Sequence, residues 1–156
     1  MQPGPLLVAR EIAPVLADLQ WAIGGSTLLF KLGLGEAPLD LDIVVIPEHF
    51  ESTRHRLSSM LTLRPAAPHP TYASKHFARF LSATGIGVDV MAGIAIRSGS
   101  TLTSWDFDPQ TVAHVDGLPW MRAEDWVCLY RLFGRHAQAL QLADQLAKTG
   151  IRSGLP

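Results

Sequence analysis

The sequence has one cysteine, Cys128, so an internal disulfide is excluded and the thiol usage fits a reducing compartment. It also has almost no net charge: 13 Lys and Arg stand against 14 Asp and Glu, for a formal charge of −1. A balance that close argues against a broad basic face and hence against a long nucleic acid as partner. Charged residues are only 17% of the chain and hydrophobic ones 47%, which excludes a disordered polyelectrolyte. No apolar run approaches the length that crosses a bilayer, and Arg10 and Glu11 interrupt the segment where a secretory leader needs an unbroken apolar stretch. Internal repeats and low-complexity tracts are missing, and the six histidines show no close pairing of zinc type. What remains is a chain of 156 residues, expected to fold as one cytoplasmic domain that buries roughly 70% of its unfolded surface.

The hydrophobic pattern divides this chain into elements. Leu6, Leu7, Ile12, Val15, Leu16 and Leu19 recur at helical spacing and predict an amphipathic helix over 5–19. Trp21-Ala22-Ile23 reads as a strand entering a tight turn at Gly24-Gly25-Ser26, and 27–32 as a helix stopped by Gly33, Gly35 and Pro38. Residues 39–46, LDLDIVVI, read as a central strand, and Pro47 with Glu48 and Glu51 starts a helix to about Met60. A short strand at 61–64 precedes an extended proline-rich loop over 65–72, after which 75–82 and 86–96 read as a hairpin turning near Gly85. Residues 98–103 are polar and expected to loop, Asp106-Phe107-Asp108 to turn, and 111–116 to form a strand. A helix from about Ala123 is broken at Gly134 from a last helix over about 136–147, and the tail from Lys148 should fray. This order predicts a mixed α/β or α+β sheet flanked by helices, with a core over about 5–116 and C-terminal helices over about 122–148.

The informative oddity is acid inside apolar strands. Asp40 and Asp42 lie two apart in a run of Leu, Ile and Val, so on a strand both carboxylates share a face. Asp89 repeats the situation between Val88 and Val90. Burying such groups unpaired costs several kcal/mol each, so something positive should meet them. Three converging carboxylates make a hard-oxygen site suited to Mg²⁺ or Mn²⁺. Upstream, Gly24-Gly25-Ser26 between a strand and a helix would let phosphate oxygens approach the backbone. Either motif alone arises about once by chance in such a chain, but Gly-Gly-Ser followed at the right distance by acid-x-acid arises in roughly one chain in two hundred.

The pattern GGS, thirteen residues, D-L-D-I and a later V-D-V resembles the DNA polymerase β-like nucleotidyltransferase superfamily over about residues 20–93. A weaker likeness continues through Leu118-Pro119, Glu124-Asp125-Trp126 and Gly134-Arg135, a layout similar to small members and to short lincosamide nucleotidyltransferases. The resemblance implies a nucleotidyltransferase fold, with Gly24, Gly25 and Ser26 binding the β- and γ-phosphates of a nucleoside triphosphate such as ATP. It implies that Asp40 and Asp42 hold Mg²⁺ or Mn²⁺, and that Asp89 binds the metal next to the acceptor and orients or deprotonates its hydroxyl. The sequence departs from the pattern at Pro38-Leu39, where many members carry a basic or small polar residue, and at Arg135-His136-Ala137-Gln138, which lacks a Lys-Asp pair.

The implied activity is transfer of a nucleoside monophosphate to a hydroxyl on a small molecule, an antibiotic among the options, or on a protein, by a two-metal displacement. The alternatives are a binding protein of the same fold with little catalysis, such as an antitoxin, and a metal-dependent phosphohydrolase. No membrane partner is expected, and a homodimer is allowed. Lys75 and Arg79 fall on one face of their strand and His76 on the other, with a solvated face as the plainer reading. Arg131 and Arg135, four apart on a helix, could clamp a phosphate, although surface solubilisation is the plainer role. Trp105 and Trp120 are expected in packing rather than base stacking, and Cys128 in the core.

Overall fold

Apolar, β-branched runs take the middle of the sheet, and short or interrupted segments take its edges. The computed structural model describes residues 3–65 and 76–150. Residues 66–72 of the expected proline-rich loop, Lys75 and the tail from 151 lie outside the described residues. Helix α1 (Gly4–Ile12) leads to strand β1 (Trp21–Gly24), helix α2 (Gly25–Lys31), strand β2 (Leu41–Val45), a 3-10 turn at Pro47–His49, helix α3 (Phe50–Leu57) and strand β3 (Thr62–Arg64). Strands β4 (His76–Leu81) and β5 (Gly87–Ala92) follow, then a hairpin of β6 (Ile94–Ser98) and β7 (Thr101–Trp105) and a 3-10 turn at Pro109–Thr111. The chain closes with a hairpin of β8 (Ala113–Val115) and β9 (Leu118–Trp120) and helices α4 (Ala123–Leu132) and α5 (His136–Thr149). Among the described residues, seven strands form one mixed sheet in the order β3-β4-β5-β2-β1-β9-β8, and β6 with β7 forms a separate ribbon.

One face of this α+β sheet is buried from β2 to β4. Leu41 and Ile43 on β2, Val88 and Val90 on β5 and Phe80 on β4 have no exposed surface. Helix α3 packs against β5 there, and Phe50 at its start stacks on His76 at 4.8 Å between ring centroids. The opposite face is covered only in part. Ala22 on β1 and Val44 on β2 are buried, whereas Phe77 on β4 and Arg64 on β3 are exposed. No described helix is long and apolar enough to cross a membrane.

Several boundaries differ from the sequence expectation, each for a local reason. The first helix ends at Ile12 rather than 19, because Pro14 has no N–H to give to the Arg10 carbonyl and its ring crowds that carbonyl. The chain continues in turns, with Val15 N–H bonded to the Ile12 carbonyl at 3.0 Å, and still buries Leu16. Strand β2 starts at Leu41, so Asp40 precedes it, and α3 stops at Leu57 before a turn that reaches Met60. The expected single strand over 86–96 is split at Gly93, whose φ of +58° turns the chain out of the sheet into the ribbon. The expected loop at 98–103 is the turn and outer strand of that ribbon: Ser98 pairs with Thr101 across a two-residue loop that Gly99 enters at φ +60°. The strand expected at 111–116 is confined to β8, and β9 follows it across Asp116-Gly117, both at positive φ. Lys31 pins that turn at 2.9 Å from Asp116 Oδ2, holding this carboxyl below the usual carboxylate range, while Arg10 donates to the Asp116 carbonyl at 3.0 Å.

Two substitutions separate core from surface. Phe80→Ala should cost about 3–5 kcal/mol, because Phe80 is fully buried. Leu102→Ala on the exposed ribbon should stay within about 0.5 kcal/mol of the parent, as surface changes generally do. Urea midpoints at an unchanged denaturant slope measure both.

Candidate functional site

Strand register draws one line of residues across five strands. Gly24 at the end of β1 pairs with Asp42 on β2, Asp42 with Asp89 on β5, Asp89 with Arg79 on β4, and Arg79 with Arg64 on β3. Residues paired directly share a face, so Gly24, Asp42, Asp89, Arg79 and Arg64 form a strip with one strand spacing, roughly 4.8 Å, per step. Asp40 lies beside this strip in the bend before β2, where Thr27 Oγ1 donates to its carbonyl at 3.0 Å. Its side chain is exposed and leans over β5, with Oδ1 2.9 Å from where a Cβ on Gly87 would sit.

The electrostatics of the strip are unbalanced. Asp42 is pushed up to about 7, first by burial and then by the charges of Asp89 and Asp40, with Arg79 and Arg135 opposing more weakly. Asp89 is held by a two-point grip: Arg79 Nε donates to Oδ1 at 2.8 Å and Nη2 to Oδ2 at 3.1 Å. The Asp89 carboxylate in turn raises the Arg79 guanidinium. Among the described residues, no three His, Cys, Asp or Glu side chains come together in an arrangement that holds a metal ion. Asp42 and Asp89 are neighbours, Asp40 is at the margin, and Arg79 meets the charge of Asp89.

The two glycines of the turn are required by what packs on them. A Cβ on Gly24 would lie 2.6 Å from Met121 Sδ and 2.9 Å from Trp126 Cζ3, so only a bare backbone lets the start of α4 close onto β1. Gly25 has φ +61°, and a Cβ there would lie 2.2 Å from Asp42 Oδ2. Ser26 is exposed on the first turn of α2. Trp126 Nε1, close to this packing, is buried with no hydrogen-bond partner among the described residues.

The remaining candidates lie elsewhere. His76 faces away from the strip, stacked on Phe50. Arg131 lies in the last turn of α4 and Arg135 precedes α5, separated by Gly134 at φ +77°, so they do not share a helix, although the charge of Arg135 still reaches Asp42. Cys128 is exposed rather than in the core, and it lines a groove of about 520 Å³ between α4 and α5. A second groove, of about 300 Å³, opens beside Gln20, Trp21 and His114. Neither groove includes a residue of the strip. Trp120 is core, its Nε1 donating to the Val115 carbonyl at 3.3 Å, and Asp108 caps the turn after it by accepting from Gln110 N–H at 2.9 Å. Sequence reasoning missed Arg79 as the partner of Asp89, although a hairpin turning near Gly85 carried the signal: counting outward from residue 84 pairs 79 with 89.

No protein-family model and no curated protein matches the chain by sequence. Solved structures do match. A Thermotoga maritima protein assigned as a nucleotidyltransferase is 22% identical, with 92% of each chain covered and a TM-score of 0.69. The Helicobacter pylori protein JHP933 is 16% identical over 95% of this chain and 68% of its own, with a TM-score of 0.53. The aminoglycoside nucleotidyltransferase ANT(2")-Ia, solved with adenylyl-2"-tobramycin, is 14% identical over 88% of this chain and 85% of its own, with a TM-score of 0.50. The chain has the polymerase β-like nucleotidyltransferase fold.

The strain around Asp42 is measurable in metal-free protein. Its carboxyl titrates near 3.8 when unfolded and about 7 when folded, so folding favours the protonated form. This group's contribution to stability is therefore fullest below about pH 4 and is lost as pH rises to about 7. Asp42→Asn should raise Tm by several degrees at pH 8 in the presence of a chelator and flatten the fall in stability over that window. An unchanged Tm and an unchanged pH profile would remove the claim of uncompensated charge. Gly25→Ala should lower Tm in the same assay, because both its φ and the Asp42 carboxylate oppose a side chain there.

Proposed function

We propose that the chain is a nucleotidyltransferase that moves a nucleoside monophosphate from a nucleoside triphosphate to an acceptor hydroxyl. The observation that carries this is the row Gly24, Asp42, Asp89, which sets a side-chain-free turn and two acids side by side on one sheet face, in a fold shared with nucleotidyltransferases. The chemistry of the donor set suits a divalent cation, with Asp42 and Asp89 adjacent and Asp40 having to swing in from the margin. All its donors are carboxylate oxygens, Asp42 carries charge that one arginine does not cancel, and Gly25 keeps the space beside Asp42 free of a side chain. Asp40, Asp42 and Asp89 would hold Mg²⁺ or Mn²⁺, which when bound neutralises the triphosphate and the charge that develops in an in-line displacement.

The protein's own groups do the rest. Gly24, Gly25 and Ser26 receive the triphosphate, the two glycines by keeping the turn beside Asp42 free of side chains and Ser26 by its exposed hydroxyl. Asp89 accepts the proton of the acceptor hydroxyl. The acceptor oxygen forms a bond to the α-phosphorus, the bond from that phosphorus to the bridging oxygen breaks, and pyrophosphate leaves with the electron pair. A second reading, a binding protein of this fold without turnover, is favoured by one observation, the grip of Arg79 on both oxygens of Asp89.

Calorimetry with ATP, GTP and CTP tests the first reading. Binding should require Mg²⁺ or Mn²⁺, and Asp42→Asn should weaken it by about tenfold or more, equivalent to at least about 1.4 kcal/mol. Asp89→Asn should keep nucleotide binding within a few-fold and abolish pyrophosphate release. Nucleotide binding indifferent to both the cation and Asp42 would defeat the proposal, and metal-dependent binding with no turnover on any acceptor would favour the second reading.

A further inference from the structure

The strip does not end at the carboxylates, and its continuation says something about the acceptor, provided the nucleotidyltransferase reading holds. Sheet order puts the Gly24-Gly25-Ser26 turn on the β1 side of Asp42 and puts β4 and β3 on the far side of Asp89. With the triphosphate at the turn, the acceptor must approach over β4 and β3. That half of the face is open. Phe77 is 39% exposed, Arg79 and Arg64 are exposed, and Met91 opposite Phe77 is half-buried, whereas Val44 in the same row on β2 is 1% exposed.

The charge of the outer two strands of this open half is one-sided. Strands β3 and β4 carry Arg64 and Arg79 and no acid, while the acids that face Arg79, Asp89 first and then Asp40 and Asp42, lie on the β5 and β2 side of it. Arg64 stands directly opposite Arg79, exposed and with no hydrogen-bond or ion-pair partner among the described residues. Like charges on directly paired residues of adjacent strands disfavour one another, an arrangement that a shared anion relieves. The Arg79 guanidinium also lies 5.6 Å from the centre of the Phe77 ring, which holds it on this surface.

We propose that Arg64 and Arg79 form an anion subsite for the acceptor, which is a small hydroxyl compound bearing a phosphate or carboxylate group. Planar guanidinium forks take either group through two parallel hydrogen bonds. Asp89 and Arg64 are two strand spacings apart, roughly 10 Å, so hydroxyl and anion lie within that distance of each other in the acceptor. A polycation such as an aminoglycoside would meet two guanidinium groups where it needs carboxylates, and is disfavoured by like charge. The specificity therefore runs opposite to that of a cationic antibiotic as acceptor.

The test uses amide and arginine side-chain ¹⁵N–¹H spectra of the full chain with Mg²⁺ and α,β-methylene-ATP. Glycerol 3-phosphate should shift Arg64, Arg79 and Phe77, glycerol should not, and glycerate in its place separates carboxylate from phosphate recognition. Arg64→Gln should weaken the glycerol 3-phosphate shifts about tenfold while leaving those caused by the nucleotide analogue at Gly24–Ser26 unchanged. Shifts that survive Arg64→Gln, or tobramycin binding the strip more tightly than glycerol 3-phosphate, would overturn the subsite. An analogue that leaves Gly24–Ser26 unshifted in the parent protein would instead defeat the nucleotidyltransferase reading, so the two failures are told apart.

Discussion

Two carboxylates held one strand spacing apart in the interior of a sheet are the constraint around which the rest of this structure is arranged. At roughly 4.8 Å, two unit charges repel by about 3 kcal/mol at an effective dielectric of 20, and burial adds to that. The parallel pairing of β2 with β5 imposes the contact by setting Asp42 opposite Asp89. The register cannot slip to avoid it. Leu41, Ile43, Val88 and Val90 alternate with the acids and are fully buried, so a shift of one residue would drive a carboxylate into the core. The hydrophobic half of each strand thus holds the acidic half in an unfavourable place, and the raised Asp42 carboxyl is the visible result.

The neighbouring elements are fitted to that contact. Asp42 needs room on the β1 side, and a side chain at residue 25 would occupy it, so the chain there is glycine at a positive φ. One residue earlier the reason is different: Met121 and Trp126 press on Gly24, which ties the C-terminal helices to the same turn. Two consecutive glycines therefore do two jobs, one toward the acids and one toward α4. The second job does not depend on any ligand, which is why a Gly-Gly pair alone says little about chemistry.

Much of this was legible in the sequence because it depended on local pattern. The apolar run flanking Asp42 announced a central strand and the one flanking Asp89 a hairpin strand, and Gly134 and Gly33 ended helices where a stop was expected. Pro14 carried enough information to shorten the first helix, but apolar spacing up to Leu19 pointed the other way, and Leu16 is indeed buried without being helical. Asp116-Gly117 was a hairpin signal that the Pro119 after it obscured, since proline is rare in strands except at edges. The roles of Arg79 and Arg64 were not legible by periodicity. Alternation gives a residue's face, whereas its partner follows only from register, and the β3–β4 register depends on chain that separates the two strands. Cys128 misled because cysteine is commonly buried, and here the open groove between α4 and α5 leaves it exposed.

Charge counting along the strip argues for an order of events. Asp40, Asp42 and Asp89, when ionised, carry three negative charges, and Arg79 supplies one positive charge, which leaves a deficit of two. Arg135, whose charge opposes the raised Asp42 carboxyl more weakly, offsets part of it, and Arg64 is exposed a further strand away from Arg79. Under the proposed function, the arginines of β3 and β4 would lie on the acceptor side and the incompletely balanced acids on the nucleotide side. A bare triphosphate approaching Gly24–Ser26 would be repelled by that deficit, so a divalent cation must accompany it or precede it. Under the same reading, a cation held by Asp89 would make the grip of Arg79 on both carboxylate oxygens unnecessary for charge balance, and the guanidinium would become available to an anion arriving over β4. Loading of the nucleotide side would in this way prepare the acceptor side, through a single arginine poised between the two.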